Sequence, residues 1–363
     1  MKVGEKLPKN VLKWLTANAT KFPNVIGFSA KFQNWNSGEN TYPIPVVRFY
    51  VKHKIALADL KPEDIIPKQL SIGSVKKSSY KTDVVEIGEV KVPPIPDDVR
   101  TSAVDKTQNF RPVELGVSVG NEAITAGSLG MLYEGIDGCL YCAGSNAHVV
   151  TPNAGMSIEE VKNSGKINIL QRGAYHGGKV PDDVVGTYLW HQQIFGIGDN
   201  PSSCPVSNIV IDFLNFISKL FGRQSRFKVL ADQLINNIDF GLYKASTEHI
   251  LKIADNSINP HNIFIGHLYA GSDTVGIICK IKNIMDACPY PIKPLNGNWG
   301  EVEVGDKVKG CSFWCNYETE VIDTDGIINV SYGNFVAIMT DAIIVKNNGT
   351  IKGGWSGSGW FKV

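Results

Sequence analysis

A chain of 363 residues with 36 basic and 35 acidic side chains has a formal net charge of +1. That balance excludes the basic surface of a nucleic-acid binder or a polybasic membrane patch, so neither partner is expected. A hydrophobic share of 43%, with 36 Gly and 18 Pro, predicts a globular, turn-rich, mainly β chain.

No window approaches about eighteen consecutive apolar residues, so no membrane span is expected. The opening Met1-Lys2-Val3-Gly4-Glu5-Lys6 leads into an amphipathic stretch with no signal-peptide core. The seven cysteines are then expected as reduced thiols and the location as cytoplasmic.

In chain order, Val11, Leu12, Leu15 and Ala19 recur at helical intervals and predict a helix over 10–21. Strands are expected at 24–30 and 44–51, joined by the polar stretch 34–40. A polar connector spans 59–67, and a third strand covers 82–88. Residues 1–91 thus form a small α/β module. From Val92 the chain is Pro-rich and charged, as in Pro93-Pro94-Ile95-Pro96-Asp97-Asp98, and 92–112 is expected to be an extended linker.

The remainder, 113–363, is expected to be one β-rich domain. Apolar runs at 131–134 and 139–144 flank Ile136-Asp137-Gly138, a hairpin signature. The return arm runs into Ser145-Asn146-Ala147-His148-Val149, where a strand end can hold an imidazole rigidly. Residues 171–190 read as loop-rich, with Asp182 and Asp183 as turn and capping residues. Residues 208–221 are strongly apolar. Asp239 opens an apolar strand, where a carboxylate is costly to bury without a partner. Further strands are expected at 275–281, 302–309, 320–322, 327–331 and 335–345, with Asp325-Gly326 as a second hairpin turn.

The stretch Gly353-Gly354-Trp355-Ser356-Gly357-Ser358-Gly359 offers a serine among small neighbours. The backbone there can turn so that the N–H groups of Gly354 and Ser356 point at a developing oxyanion. Cys139-x2-Cys142 and Cys311-x3-Cys315 have metal-like spacing. A strand through Cys139-Leu140-Tyr141-Cys142 sends its cysteines to opposite faces, so no metal is expected. No P-loop or dinucleotide motif occurs, and no cofactor is implied.

The order His148, Asp239, Ser356, each in its local setting, resembles that of the trypsin-like serine peptidases. The resemblance is strongest to a signal-less microbial group related to the plant narrow-leaf trypsin-like proteases. Its Ile-Thr-Ala-Gly-Thr-Leu-Gly resembles 124–130. Its Leu-Ser-Asn-Asn-His-Val is similar to 144–149, and its Pro-Asp-Asp-Val-Ile-Gly-Thr to 181–187. Its Val-Asp-Ala-Ala-Leu-Ala resembles 238–243. Its Gly-Gly-Asp-Ser-Gly-Ser resembles 353–358, with Trp355 in place of Asp.

The resemblance implies two six-stranded-type antiparallel barrels behind the α/β module. It also implies a serine endopeptidase with His148, Asp239 and Ser356 as catalytic residues and Gly354 and Ser356 at the oxyanion hole. The substrate would be a polypeptide. Only seven residues follow Ser356 (363 − 356). The second barrel is therefore expected to be incomplete, lacking its terminal strands, with an open edge for a second copy or partner chain. The alternative is an inactive relative serving as a binding or assembly module.

Overall fold

The computed structural model describes residues 1–37, 40–72, 78–92, 105–111, 113–135, 141–197, 236–245, 262–295 and 298–363. Most of the linker, the turn Ile136-Asp137-Gly138, Cys139 and the apolar stretch 208–221 lie outside the described residues. Among the described residues no helix is long and apolar enough to cross a membrane.

Helix α1 (Lys9–Asn18) passes into a 3-10 turn and buries Val11 and Leu15, as their spacing predicts. They pack on strands β1 (Val25–Ser29), β3 (Asn40–Val51), β4 (Gln69–Ile72) and β5 (Ser78–Glu86) around Phe28, Phe49 and Leu70. The polar connector expected at 34–40 instead contains β2 (Gln33–Ser37), hairpinned to β3. Trp35 faces Tyr42 across that pair with ring centroids 5.2 Å apart, a contact that sustains a polar strand.

The next sheet is a curled half-barrel. It contains β6 (Ser118–Asn121), β7 (Gly127–Ser128), β8 (Met131–Gly135), β9 (Tyr141–Ser145), β10 (Asn168–Leu170), β11 (Val184–His191) and β12 (Gly241–Ala245). Strand β11 corrects the loop-rich reading of 171–190. Gly and Pro dominate only as far as Pro181, and from Val184 the chain is a central strand between β10 and β12.

The third group comprises β13 (Ile263–Gly271), β14 (Val275–Lys280), β15 (Ile292–Pro294), β16 (Lys307–Cys311), β17 (Asn316–Ser331), β18 (Val336–Lys346) and β19 (Gly359–Lys362). Strand β15 joins the half-barrel through β8. The other six form a ring in the order β16-β19-β13-β14-β18-β17, and β16 pairs back onto β17.

Two expectations are corrected here. The ring is closed and has no open edge, and β13 and β14, upstream of Ser356, form part of it. Strand β19 then bridges β13 and β16. The edge foreseen for a partner is thus occupied within the ring.

Asp325-Gly326 is not a turn either. It lies inside the long strand β17, opposite Ala342 on one side and Ser29 of β1 on the other. The chain reverses at Tyr332, whose N–H donates to Phe335 O at 2.9 Å. The β1–β17 pairing makes the α/β module's sheet continuous with the ring. Buried Asp323 of β17 ties that joint by accepting from Gln33 Nε2 and Tyr50 Oη.

Trp355 and Trp360 are fully buried in a cluster with Phe313 and Trp314, their rings 6.0 Å apart. Removing a side chain of that size from a closed core forfeits its transfer free energy and leaves a cavity. Trp360→Ala is expected to lower unfolding free energy by about 3–5 kcal/mol, read from urea denaturation.

Candidate functional site

Asp239 sits between the buried side chains Ile238 and Phe240, two residues before β12, and has no solvent exposure. An enclosed carboxylate needs donors. Ala147 N–H, in the unpaired first turn of the short helix α2 (Ala147–Val150), donates to Oδ1 at 2.8 Å. His148, the next residue, donates from Nδ1 to Oδ2 at 2.6 Å. Tyr332 Oη donates to the same oxygen at 3.0 Å. The hydrogen bond to Asp239 assigns the His148 tautomer and leaves Nε2 as the basic nitrogen.

Tyr332 was not legible as a site residue. The sequence around it, Ser331-Tyr332-Gly333-Asn334-Phe335, signals only a turn, and its partner lies 93 residues away. Its ring stands edge-on to His148 at 5.9 Å and stacks on Phe335 at 5.1 Å. Burial, with Asp239 alongside, pushes its hydroxyl well above the usual range, so it stays a proton donor.

Ser356 is 5% exposed and sits in a turn fixed from four sides. Ser128 N–H donates to Ser356 O at 2.7 Å, and Ser128 Oγ to Gly354 O at 2.8 Å. Trp314 Nε1 donates to Gly353 O at 2.6 Å. Gly357 N–H donates to Leu268 O at 2.8 Å. Gly357 has φ +87°, and a Cβ there would fall 1.9 Å from Ser145 Oγ, so this position requires glycine. Trp355 holds the turn by apolar packing.

Among the described residues, the N–H groups of Gly354 and Ser356 donate to no protein acceptor. Both residues line a cleft of about 390 Å³ together with His148, Tyr332 and Phe335. The fold therefore brings all four sequence-predicted site residues, His148, Asp239, Gly354 and Ser356, into one neighbourhood. No hydrogen bond joins His148 Nε2 to Ser356 Oγ.

Among the described residues Cys142 does not meet Cys311 and Cys315. Cys142 lies in the half-barrel, and Cys311 and Cys315 flank the β16–β17 turn. Among the described residues no group of three His, Cys, Asp or Glu side chains is placed to hold a metal. Comparison with known protein families and with curated proteins finds no match to this chain.

His267 of β13 links the two sheets behind the turn. Its Nδ1–H donates to Gly357 O at 2.9 Å, and its Nε2 accepts from Tyr133 Oη of β8 at 2.7 Å. Complete burial lowers its pKa from 6.5 to about 4. The unfolded chain therefore binds the proton more readily. The stability owed to neutral His267 is complete above about pH 6.5 and drains away as pH falls toward 4. Relative to His267→Gln, the parent chain should lose on the order of 3 kcal/mol of unfolding free energy between pH 7 and pH 4, measured by urea denaturation at each pH.

Proposed function

We propose that the chain is a serine endopeptidase of the trypsin-like type. The observation that carries this reading is the 2.6 Å His148–Asp239 pair, whose imidazole lines one cleft with Gly354 and Ser356, two residues whose N–H groups donate to no acceptor among the described residues. The closed six-stranded ring beside a curled half-barrel supports it. In the proposal, β13 and β14 stand in for the strands that follow the nucleophile in the trypsin-like arrangement.

Ser356 Oγ attacks the carbonyl carbon of a peptide bond as its proton passes to His148 Nε2. Asp239 holds the imidazole by its Nδ1 and stabilises the imidazolium. The Gly354 and Ser356 N–H groups take the negative charge that forms on the carbonyl oxygen, each such donor being worth about 3–4 kcal/mol. Collapse of the tetrahedral adduct breaks the C–N bond, and His148 returns the proton to the leaving amine. Water, deprotonated by His148 in turn, releases the acyl group and restores Ser356.

A second reading, a non-catalytic binding module, is favoured by the missing His148–Ser356 hydrogen bond and by Trp355 in the acid's place. A fluorophosphonate probe separates the two. Serine labelling is expected in the parent chain and its loss in Ser356→Ala, and His148→Ala should slow it by at least about a thousandfold. No labelling of the parent leaves the binding module. Tyr332→Phe removes one donor from Asp239; it should slow labelling about tenfold and lower the unfolding free energy by about 1–3 kcal/mol, read from urea denaturation.

A further inference from the structure

We infer that residues 90–92 are a built-in occupant of a strand slot that opens into the cleft at Val92, held where an extended polypeptide would lie, so that any polypeptide ligand using the slot must displace them. The inference rests on reading Ser356 and His148 as the reacting pair.

The segment leaves β5 past Gly88 and enters a slot between the ends of β13 and β17. Lys91 N–H donates to Gly271 O at 3.1 Å, and Gly271 N–H donates back to Lys91 O at 3.0 Å. On the other flank Val92 N–H donates to Ser331 O at 2.9 Å, and Ser331 N–H to Val90 O at 3.1 Å. Three residues are thus held by backbone bonds from both sides, the mode by which sheets capture extended peptides irrespective of side chain. Side chains alternate: Val90 is 2% exposed, Lys91 faces solvent, and Val92 lines the cleft with His148 and Ser356.

The slot is aligned with the nucleophile. Strand β19 occupies one edge of β13 as far as His267, opposite Gly359. The turn after Ser356 then meets Leu268, through Gly357 N–H to Leu268 O and Leu268 N–H to Ser358 O. Lys91 meets Gly271, three residues or about 10 Å further on. Because the Lys91–Gly271 pairing is antiparallel, the occupant's chain direction carries it toward Leu268 and Ser356. The opposite wall also adjoins the site, since Ser331 precedes Tyr332, the donor to Asp239. The slot therefore selects an extended segment of apolar–any–apolar pattern, and the chain carries one such segment itself.

A ligand that needs the slot empty binds with an affinity reduced by the fraction of chains in which it is empty. The test uses full-length Ser356→Ala, which cannot turn over peptide, and a fluorescein-labelled peptide of sequence Gly-Glu-Val-Lys-Val followed by anisotropy. Adding Lys91→Pro, which removes the donor to Gly271, should tighten peptide binding about tenfold or more. A second variant, Val92→Ala, keeps the backbone bonds and trims only the cleft-facing side chain. It should tighten binding by about threefold, and it serves if the proline variant does not fold.

Equal affinity in parent and folded variants overturns the inference. Tighter peptide capture by the variants, together with no fluorophosphonate labelling of the parent chain with Ser356 intact, upholds the occupant and removes the peptidase reading.

Discussion

One enclosed carboxylate sets the terms for the rest of the site. Asp239 has no access to water, and everything that meets its oxygens comes from a different part of the chain: the helix after β9, and the turn between β17 and β18. A carboxyl group in that position is tolerable only with its acceptor sites filled. The half-barrel and the ring must therefore dock closely enough for the tip of the β17–β18 turn to reach it. The same docking puts His148 on the floor of the cleft between them.

The turn around Ser356 is built by the opposite strategy. Its carbonyls are tied down by Ser128, Trp314 and His267, while the N–H groups of the cleft-lining residues Gly354 and Ser356 have no acceptor among the described residues. Rigid acceptors and uncommitted donors are what charge stabilisation requires, since the donors need no rearrangement when charge appears. Trp355 anchors this turn by burying a large indole beside Trp360 and Tyr317, through dispersion contacts.

What the sequence revealed was local. His148 follows a small-residue strand end, Asp239 interrupts an apolar run, and Ser356 stands among glycines, so each announces itself within about six residues. What stayed hidden was pairing over long distances. Asp325-Gly326 has the composition of a hairpin turn, and only the arrival of β1 on its far side keeps it extended. The same limitation concealed ring closure, because nothing near β13 tells that it will lie beside β19. Tyr332 belongs to this class too: its residue type is ordinary for a turn, and its role comes entirely from a partner 93 positions away. Strand β11 was missed for a different reason, masked by the glycines and proline that precede it.

The pairing of β1 with β17 has a consequence for the chain as it is made. Gly27 lies opposite Ile328, so about three hundred residues separate the partners (328 − 27). The first module has an apolar core of its own and can collapse early. One edge of its sheet, however, must wait for a strand not yet synthesised. At about 5–20 residues per second that wait lasts roughly 15–60 s, during which a largely apolar strand edge is open to other nascent chains. Yield in the cell is then governed by whatever shields that edge in the interval, and slower translation over the middle of the message would lower the recovery of folded protein without altering a single residue.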